Sequence, residues 1–530
     1  MNAQAAQLND NRILICDAIL RSIAEELDIP PGKYKEAVER YTAVGKWLEG
    51  GEYPGTVGQP SIYVQGSFRL GTVIRPFREG RDADYDIDLA CELGTSIVKS
   101  NAKPIKHLVG KRLKEHGTYR EMLEPEGRRC WTLIYAEQDG VGFHLDTLPC
   151  VPHPIVSEKV LPKYGSQAIG ITDCDEPEGG YCWGYSNPNG FADWFLDRQR
   201  PVFNRIAALR KQQLVRRHPA VFASVSDVPD QLVRTPLQRA VQILKRHRDV
   251  RFSRRRNEAD KPISIIITTL AAQAYEQESD VFSALANILD KIQRHQDTGI
   301  IRCIDGKWVI ENPTNPGENF ADRWNDEGSQ RVDAFFEWLD WVREDLDDLL
   351  NVASEKELDR LLRKSFGETP GKRVASAYQG PLPGAYQPST SIFSRVGRAL
   401  LRFDVSHRQN PKWHLQATRY SATVRARYRR NGFRPTAFQS NSPPLPKKIH
   451  LDFELETNVP KPYTVYWQVV NTGEEAQRAN QLRGDFYDSG KSGRSRTEST
   501  LYRGMHWVEA FVVKDGVCVA RSGEFVVNIA

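Results

Sequence analysis

Aspartates occupy every second position in one short segment of this 530-residue chain, RDADYDIDLA, as Asp82, Asp84, Asp86 and Asp88. Side chains on a β-strand point alternately to opposite faces, so this spacing predicts a strand with carboxylates on one face and mainly apolar side chains on the other. Carboxylates this close raise one another's pKa unless cations lie between them, and their oxygens are ligands that Mg²⁺ accepts. The segment therefore predicts a metal site on a sheet or, as the simpler alternative, a solvated acidic strand edge.

A third acid and a Gly-Ser turn favour the metal site. Asp146 lies in the apolar sequence FHLDTLP, on a predicted neighbouring strand of the same sheet. Two aspartates on one strand and one on the next can hold two Mg²⁺ ions, or Mn²⁺ in their place, about 3.5–4 Å apart for phosphoryl transfer. Upstream, Gly66 lets a backbone N–H approach terminal phosphates, and Ser67 adds a hydroxyl donor. The pattern predicts a site for a nucleoside triphosphate.

Composition limits the class of protein. A chain with 40% hydrophobic and 27% charged residues is too long for one core and is expected to form two to four domains. It lacks a membrane-length apolar run and a signal-like start, so we expect a cytoplasmic protein. Its eight scattered cysteines indicate reduced thiols rather than disulfides or zinc. The net charge is only +5, but basic residues cluster at Lys245–Arg256 and Arg395–Arg430, as either phosphate-binding or solvated faces.

Hydrophobic periodicity divides the chain into four predicted parts. Residues 1–190 combine two N-terminal helices with short alternating strands, and residues 191–365 return to helical spacing. Residues 366–411 contain many prolines and glycines and are predicted to form a linker or an ordered crossing loop. Residues 412–530 are alternating strands rich in aromatic and β-branched residues, which predict an antiparallel β-sandwich. The fold class is therefore α+β, with hairpin turns predicted at the Asp-Gly pairs 139–140 and 515–516.

Several motifs resemble known families. QGSF at residues 65–68, YDIDLA at 85–90 and HLDTLP at 144–149 resemble the signature of polymerase-β-type nucleotidyltransferases. WGYSNPNGFADWF, TPLQRAVQILKRHRD, KPISIIITTLA and NPTNPGENFADRW are similar to the bacterial cGAS-like nucleotidyltransferases called CD-NTases (SMODS family), over roughly residues 10–365. YWQVVNTGEEAQRANQLRGDF and YRGMHWVEAFVVKDGVCVARSGEF resemble the adenylyl/guanylyl and SMODS C-terminal sensor (AGS-C) domain. The resemblance implies a polymerase-β-like core with a helical second lobe, followed by the sandwich.

The resemblance also implies roles for single residues. Asp86 and Asp88 are expected to bind both metal ions, and Asp146 to bind the second ion and help to deprotonate an incoming ribose hydroxyl. The gap between Ser67 and the aspartates leaves open a register shifted by two, to Asp82 and Asp84. Lys245 and Ser264 match positions that touch the triphosphate; the alternatives are an ordinary surface lysine and a serine at a helix N-terminus.

The implied function is synthesis of a cyclic di- or oligonucleotide second messenger from nucleoside triphosphates. We expect it to serve bacterial anti-phage signalling through an effector protein encoded elsewhere. Two alternatives stay open: the product is a linear oligonucleotide or a nucleotidylated protein, or the chain is a non-catalytic sensor of nucleotides or nucleic acid. Product choice depends on pocket shape rather than on the metal-binding acids.

Other candidate residues carry weaker predictions. His144 is expected to be a hydrogen-bonded structural histidine rather than a general base. Trp183 and Trp194 are candidates for stacking on a base, with core packing favoured for Trp194. Nucleic-acid binding by Arg395–Arg430 is possible but not favoured. In the sandwich, the loop residue Arg483 is the first candidate for gripping the phosphate of a small regulatory ligand, and a surface salt bridge is an equal alternative.

Overall fold

Two folding units make up the chain in the computed structural model: residues 20–345 with 360–374, and residues 1–19, 346–359 and 375–530. The described residues are 3–75, 77–78, 81–82, 84–138, 141–175, 180–255, 258–383, 408–409, 411–415, 420–429, 435–438, 440, 445–471, 474–489 and 493–529. Within these ranges, no helix is both long and apolar enough to cross a membrane.

The part of the chain before residue 384 holds fourteen α-helices among its described residues. They are α1 (Ala3–Glu26), α2 (Pro31–Glu49), α3 (Gly66–Leu70), α4 (Ala102–Glu115), α5 (Gly117–Met122), α6 (Pro162–Gly165), α7 (Pro188–Arg217), α8 (Pro236–Phe252), α9 (Ser264–Ala274), α10 (Val281–Gln293), α11 (His295–Thr298), α12 (Arg331–Asn351), α13 (Glu355–Phe366) and α14 (Glu368–Ala377). Short 3₁₀ helices span Val225–Asp227, Asp230–Leu232, Glu258–Asp260 and Asp322–Asn325.

Strands of the same part form one large sheet and three two-stranded ribbons. The strands are β1 (Ser61–Gln65), β2 (Phe77–Arg78), β3 (Arg81–Asp82), β4 (Tyr85–Glu92), β5 (Trp131–Gln138), β6 (Val141–Pro152), β7 (Ile169–Asp175), β8 (Gly180–Ser186), β9 (Arg302–Ile304), β10 (Lys307–Val309), β11 (Glu311–Asn312) and β12 (Asn315–Asn319). The large sheet has the order β1-β4-β6-β7-β8, with β5 also paired to β6. Only β4 and β6 pair in parallel; the other ladders of this sheet are antiparallel.

One face of the large sheet is packed and the other carries the acids. Ile87 on β4 and Leu145 on β6 are fully buried in a core that includes Val44 of α2 and Val109 of α4. Because strand side chains alternate, the aspartates between these apolar residues lie on the opposite face. The hydrophobic effect on one face therefore fixes which face presents the carboxylates.

The structure corrects the prediction of a single strand with four aspartates. Asp82 belongs to β3, which pairs with β2 in a separate two-residue ribbon, and β4 begins only at Tyr85. The ladder between β4 and β6 starts at Tyr85 and Phe143, so the pairing partner determines where the strand begins. Only Asp86 and Asp88 lie within β4.

Of the two predicted hairpin turns, the structure describes one. The turn at residues 139–140 lies outside the described residues, although the strands beside it pair through Gln138 and Val141. The turn at Asp515-Gly516 is confirmed: both residues have positive φ, 51° and 76°, as a two-residue type I′ turn requires.

Helix α8 is buried although its sequence is strongly polar. Thr235 caps it through a reciprocal pair with Gln238, and Pro236 occupies the first turn. Residues Lys245 to Asp249, the first part of the basic cluster, are all buried. The alternative of a solvated basic face, with Lys245 as a surface lysine, is therefore wrong here, because the helix is enclosed by its neighbours.

The predicted domain boundaries do not follow the elements closely. The boundary after residue 190 falls in the first turn of α7, and the same unit contains the residues on both sides of it. The predicted linker, residues 366–411, includes α14 (Glu368–Ala377). Its proline and glycine, Pro370 and Gly371, lie in the helix's early turns, where proline is tolerated.

The C-terminal strands form two sheets. The elements are β13 (His414–Leu415), β14 (Ala422–Arg429), β15 (Thr436–Phe438), β16 (His450–Thr457), β17 (Thr464–Val470), α15 (Glu474–Arg478), β18 (Phe486–Asp488), β19 (Ser495–Ser499), β20 (Gly504–Lys514), β21 (Val517–Arg521) and β22 (Phe525–Ile529). One sheet has the order β13-β21-β20-β17-β18, with β22 also on β20, and the other β15-β14-β16-β19.

The predicted α+β fold with a C-terminal sandwich is confirmed. Side chains from both sheets share one core, which includes the fully buried Trp467 of β17 and the almost fully buried Phe453 of β16. The ladders of the sandwich are antiparallel except for the short parallel pair of β13 and β21, among the residues described. Burial of these aromatic side chains stabilises the sandwich.

A glycine contact in the nucleotidyltransferase core gives a test of its packing. A Cβ on Gly110 of α4 would lie 2.3 Å from the Trp131 ring, whereas a Cβ on Gly32 of α2 would meet nothing within 4 Å. We expect Gly110→Ala to lower the melting temperature, because overpacking should reduce the free energy of unfolding by about 1–3 kcal/mol. Gly32→Ala should leave the melting temperature unchanged or raise it, because alanine favours a helix. Thermal unfolding of both variants checks this, and a neutral Gly110→Ala would contradict the packing.

Candidate active site

Strand register brings the predicted acids together. In the parallel ladder of β4 and β6, Asp86 pairs with His144 and Asp88 pairs with Asp146. Paired positions project to the same face of a sheet, so these four side chains form two adjacent rows. The antiparallel ladder on the other side pairs Gln65, the last residue of β1, with Asp88. The turn that follows β1 is therefore next to the acids.

Gly66 approaches Asp88 so closely that only glycine fits. Its φ is +63°, and a Cβ on it would lie 2.0 Å from Asp88 Oδ2. A residue with a side chain would be strained there and would displace the carboxylate. Gly66 and Ser67 are the first two residues of α3, so the predicted phosphate turn and the predicted metal ligands share one place in the fold.

Burial and neighbouring negative charges both act on the carboxylate of Asp88. Burial, followed by the charges of Asp146 and Asp86, raises the pKa of Asp88 to about 7, although Lys245 acts in the opposite direction. Around neutral pH, two adjacent carboxylates therefore lack full compensation by the protein's own cations. A bound divalent cation would supply the missing positive charge.

The donor set fits a divalent metal ion by its chemistry. Asp86, Asp88 and Asp146 offer carboxylate oxygens, the ligands that Mg²⁺ and Mn²⁺ prefer. Asp146 Oδ1 accepts a hydrogen bond from Thr132 Oγ1 at 2.5 Å, which orients its carboxylate. Among the described residues, no three Asp, Glu, His or Cys side chains converge into a ready-made metal cage. Register and chemistry, rather than a closed cage, identify the candidate ligands.

His144 lies among the acids. Its ring nitrogens are 3.8 Å from Asp86 Oδ1 and 3.9 Å from Asp84 Oδ2, and the side chain is 32% exposed. This histidine was interpreted from the sequence as structural, and the structure gives it acidic neighbours on the open face. The sequence already indicates this position, because His144 and Asp146 are two residues apart on one strand and therefore share a face.

Asp84 has a different environment from the β4 aspartates. Its carboxylate accepts a hydrogen bond from the Gly142 backbone N–H at 3.1 Å. Neither Asp84 nor Asp82 has a partner position opposite Asp146, because the ladder places Asp88 there. This favours the Asp86 and Asp88 register over the shifted one.

Lys245 lies near the acids from the buried helix α8. Its Nζ donates to the Thr72 carbonyl at 3.1 Å. Burial, followed by the charge of Arg248, lowers the pKa of Lys245 to about 8, although the carboxylates of Asp249, Asp88 and Asp86 oppose this. A lysine in this environment can carry its charge toward an incoming phosphate.

Ser264 has only a helix-terminal role among the described contacts. It is the first residue of α9, and its hydroxyl accepts a hydrogen bond from Arg248 Nη1 at 3.0 Å. Arg248 also donates to the Pro262 carbonyl at 2.8 Å. Ser264 is thus linked to α8, and its contact with a triphosphate stays a prediction.

A polar ladder on α8 was not found by sequence reasoning. Four side chains at helical spacing donate to backbone carbonyls at the end of α3 and in the segment after it: Gln238 to Leu70 at 2.8 Å, Gln242 to Val73 at 3.0 Å, Lys245 to Thr72 at 3.1 Å and Arg246 to Arg75 at 3.3 Å. Residues three and four apart share one helix face, so glutamines and basic residues at this spacing were the signal that could have revealed it. The ladder fixes the chain that leaves the Gly66-Ser67 turn.

The opposite side of α8 is held by a histidine. His247 Nε2 lies 3.0 Å from Asp345 Oδ2, and Trp338 Nε1 donates to His247 Nδ1 at 3.1 Å. Because Nδ1 accepts, Nε2 carries the ring hydrogen that Asp345 accepts. These contacts fix the position of α8, and hence of Lys245, against α12.

The remaining sequence candidates make ordinary protein contacts. Trp183 Nε1 donates to the Ser100 carbonyl at 3.2 Å, and Trp194 packs against Phe191 with ring centroids 5.4 Å apart. Neither contact indicates a base platform.

Two arginines in the described part of the basic tract are paired with acids. Arg425 pairs with Glu456 at 2.9 Å and Arg429 with Asp452 at 2.5 Å, across the outer face of the four-stranded sheet. Residues 384–407 lie outside the described ranges. These cross-strand ion pairs do not favour nucleic-acid binding here.

The loop residue Arg483 forms a salt bridge, which was the alternative to phosphate binding. Its Nη1 and Nη2 donate to the two carboxylate oxygens of Glu498 at 2.8 and 3.2 Å, and its Nε donates to the Tyr487 hydroxyl at 3.0 Å. The prediction that Arg483 itself grips a phosphate is therefore not supported, since its guanidinium is already held by both carboxylate oxygens of Glu498.

Two family models match the chain. The model described as "Cyclic GMP-AMP synthase DncV-like, nucleotidyltransferase domain" covers residues 60–149, which hold Gly66, Asp86, Asp88 and Asp146. The model described as "Adenylyl/Guanylyl and SMODS C-terminal sensor domain" covers residues 403–530.

Relatives extend the match beyond these domains. A c-di-GMP synthase of Roseivirga ehrenbergii is 30% identical over 352 residues, which is 66% of this chain and 84% of that protein. The cyclic dinucleotide synthase CdnG of Bradyrhizobium diazoefficiens is 26% identical over 389 residues, 72% of this chain and 87% of that protein. The solved structure of the B. diazoefficiens CdnG in complex with GTP shares the fold, with a TM-score of 0.51 and 24% identity over 68% of this chain and 98% of that one.

The nucleotidyltransferase fold implies that activity depends on a divalent metal ion. The identity and coverage of the R. ehrenbergii relative, the two domain matches and the position of the acids all agree. The chain is a nucleotidyltransferase that belongs to the CD-NTase family and carries a C-terminal AGS-C domain.

Proposed function

We propose that the protein joins nucleoside triphosphates into a cyclic di- or oligonucleotide second messenger. The observation that carries the proposal is the ladder position of Asp88 opposite Asp146, with Gly66 against the Asp88 carboxylate. Two relatives bear the names c-di-GMP synthase and cyclic dinucleotide synthase, which favour a dinucleotide product.

The acids would hold two Mg²⁺ ions. Asp86 and Asp88 would bind both ions, and Asp146 would bind the second. When bound, the ions neutralise the triphosphate and lower the pKa of the attacking hydroxyl. The raised pKa of Asp88 and the carboxylate oxygens of Asp86 and Asp146 beside it support this assignment, because both features favour a hard cation between the carboxylates.

The reaction places defined demands on the protein's residues. The ribose hydroxyl oxygen of one nucleotide attacks the α-phosphorus of another, the bond to the β-phosphate oxygen breaks, and pyrophosphate leaves. Asp146 accepts the hydroxyl proton, and Thr132 keeps its carboxylate oriented. Gly66 and Ser67 border the triphosphate site, and Lys245 faces the phosphates, with Ser264 as a further predicted contact. A second transfer within the linear intermediate closes the ring.

Product analysis tests the proposal. The protein is incubated with each NTP and dNTP and Mg²⁺, treated with phosphatase, and the products are identified by mass spectrometry. A phosphatase-resistant cyclic product is expected. A linear oligonucleotide or a nucleotide-labelled protein would establish one of the alternatives, and no transfer with any substrate, at every metal tested, would contradict the proposal.

The wider setting is proposed on less direct grounds. The anti-phage role, the effector encoded elsewhere and the cytoplasmic location remain predictions from the family resemblance. We also propose that the AGS-C domain regulates synthesis by binding a small ligand, which rests on the description of the matched family as a sensor domain.

Substitution of single aspartates should separate ligands from neighbours. We expect Asp86→Asn and Asp88→Asn each to reduce product formation at least about 10²-fold, because metal-mediated stabilisation of the transition state is lost. Asp84→Asn is the matched control: this carboxylate lies in the same segment but accepts a backbone hydrogen bond from Gly142. It should retain activity within a few-fold. Full activity in both β4 variants with loss in Asp84→Asn would establish the shifted register.

The metal-free protein should become more stable when Asp88 loses its charge. The folded-state pKa of about 7 exceeds the ordinary 3.8, so ionised Asp88 destabilises the fold as pH rises from about 4 to about 7. In EDTA, Asp88→Asn should therefore melt above the wild type, with an advantage in the free energy of unfolding about 2 kcal/mol larger at pH 8 than at pH 5.5. With saturating Mg²⁺ at pH 8 the order should reverse. Thermal scans at both pH values check this, and a less stable Asp88→Asn in EDTA at pH 8 would contradict it.

A further inference from the structure

The open edge of the C-terminal sandwich carries charged residues where a sandwich normally buries apolar ones. β18 and β19 are edge strands of the two sheets, and an ion pair joins Arg483, in the loop before β18, to Glu498 of β19. Arg496 and Glu498 on β19 are partly buried, as is Arg494 just before this strand, while the residues that alternate with them are exposed. Arg496 is opposite Phe453, which points into the core, so the arginine also faces the space between the sheets.

Tyrosines of the other sheet face these arginines. The Arg494 guanidinium lies 5.5 Å from the ring centre of Tyr463, and that of Arg496 lies 4.3 Å from the ring centre of Tyr487. Tyr463 and Tyr487 both pack against the sandwich core. Two arginine–tyrosine pairs therefore line the same edge, and each pair joins an arginine on the side of β19 to a tyrosine on the side of β17 and β18.

The charges of this cluster are not balanced. Glu498 accepts hydrogen bonds from Arg483 and Arg496. Arg494 has no acidic partner within the described residues. Three guanidinium groups thus face one carboxylate, and the partly buried position reduces the screening of this excess positive charge by water.

Hydrogen-bond donors without acceptors accumulate at the same place. Within the described part of the sandwich, the Tyr463 hydroxyl, the Trp467 indole N–H and the Ser489 hydroxyl are buried and meet no protein partner. Trp467 is fully buried and pairs across strands with Tyr487, which places both on the inner face. Ser489 donates its backbone N–H to Val465, between Tyr463 and Trp467 on the neighbouring strand.

Tyr487 adds a further donor. Its oxygen accepts the Arg483 Nε–H, which leaves its own hydroxyl hydrogen for another acceptor. Unsatisfied buried polar groups cost free energy, so a ligand that accepts their hydrogen bonds would be favoured at this edge. Because the available groups are donors and cations, the missing partner is an acceptor with negative charge.

We propose that the edge between β18 and β19 is a binding site for a nucleotide, whose phosphate is held by Arg494 and whose base contacts Tyr463. Arginine guanidinium groups match phosphate oxygens, and tyrosine faces accept a planar base. Arg483, Arg496 and Glu498, which pair with one another beside Tyr487, form the fixed wall of the site. The proposal rests on the regulatory role proposed for the AGS-C domain, and it names the site and the chemical class of its ligand.

Hydrogen–deuterium exchange of the full chain tests the site without catalysis. The protein is kept in EDTA, so that the metal-dependent active site is not loaded, and titrated separately with ATP, c-di-GMP, adenosine and inorganic phosphate. We expect ATP or c-di-GMP to protect peptides covering residues 460–470 and 483–499. Adenosine and phosphate alone should bind at least about tenfold more weakly, because each satisfies only part of the site.

Variants separate a binding role from a structural one. Arg494→Gln should weaken nucleotide protection at least about tenfold, as for a lost charge-assisted contact. Arg425→Gln is the matched control, since Arg425 is a sandwich arginine on the outer face that already pairs with Glu456. Tyr463→Phe should weaken binding while leaving the melting temperature of the unliganded protein unchanged or raised, because its hydroxyl has no partner to lose.

Three results would overturn the site: no protection of these peptides by either nucleotide at millimolar concentration, equal affinity in Arg494→Gln, or protection by phosphate alone as strong as by nucleotide. Failure of the binding site can be distinguished from failure of the proposed synthesis. A wild type that makes a cyclic product but shows no protection removes only this site. Protection without any product removes only the proposed reaction.

Discussion

Like-charged carboxylates on neighbouring strands are the constraint around which the catalytic half of the protein is built. Parallel pairing of β4 with β6 places Asp88 opposite Asp146, and same-sign charges at such positions destabilise a sheet. The fold tolerates this because the other face of both strands is buried in a large apolar core. The raised pKa of Asp88 shows that the compensation is incomplete in the protein alone. Sites that break a local rule of stability in this way are where function is expected.

Helix α8 supplies the counterpart to these acids. A lysine that reached the site from solvent would be hydrated and mobile, whereas Lys245 is buried and held by the Thr72 carbonyl. Gln238 and Gln242 of the same helix satisfy backbone carbonyls of the segment after α3, and His247 holds the opposite side through Asp345. Each contact pairs a buried polar group that would otherwise be costly. The same network therefore stabilises the lobe and positions the phosphate turn relative to the acids.

The C-terminal sandwich is held together mainly by apolar packing. Its centre is apolar and aromatic, with Trp467 and Phe453 buried between the sheets. At the edge formed by β18 and β19, where no further described strand covers either sheet, arginine and glutamate side chains are partly buried instead. An edge of this kind can accept a ligand without disturbing the central packing, because the exposed strands carry few of the core contacts.

The sequence by itself determined the elements that local patterns specify: alternation gave the strands of the acids, Asp515-Gly516 gave a hairpin, and Pro236 after Thr235 gave the start of α8. It also placed Asp88 and Asp146 in one sheet, because each interrupts an apolar strand. It did not show that Asp82 leaves that strand, since strand limits depend on the pairing partner. Nor did it distinguish a buried Lys245 from a surface lysine, or a free Arg483 from one paired with Glu498. Periodicity reports which face of an element is apolar, whereas the groups that meet a given charge come from distant parts of the chain, and only tertiary packing brings them together.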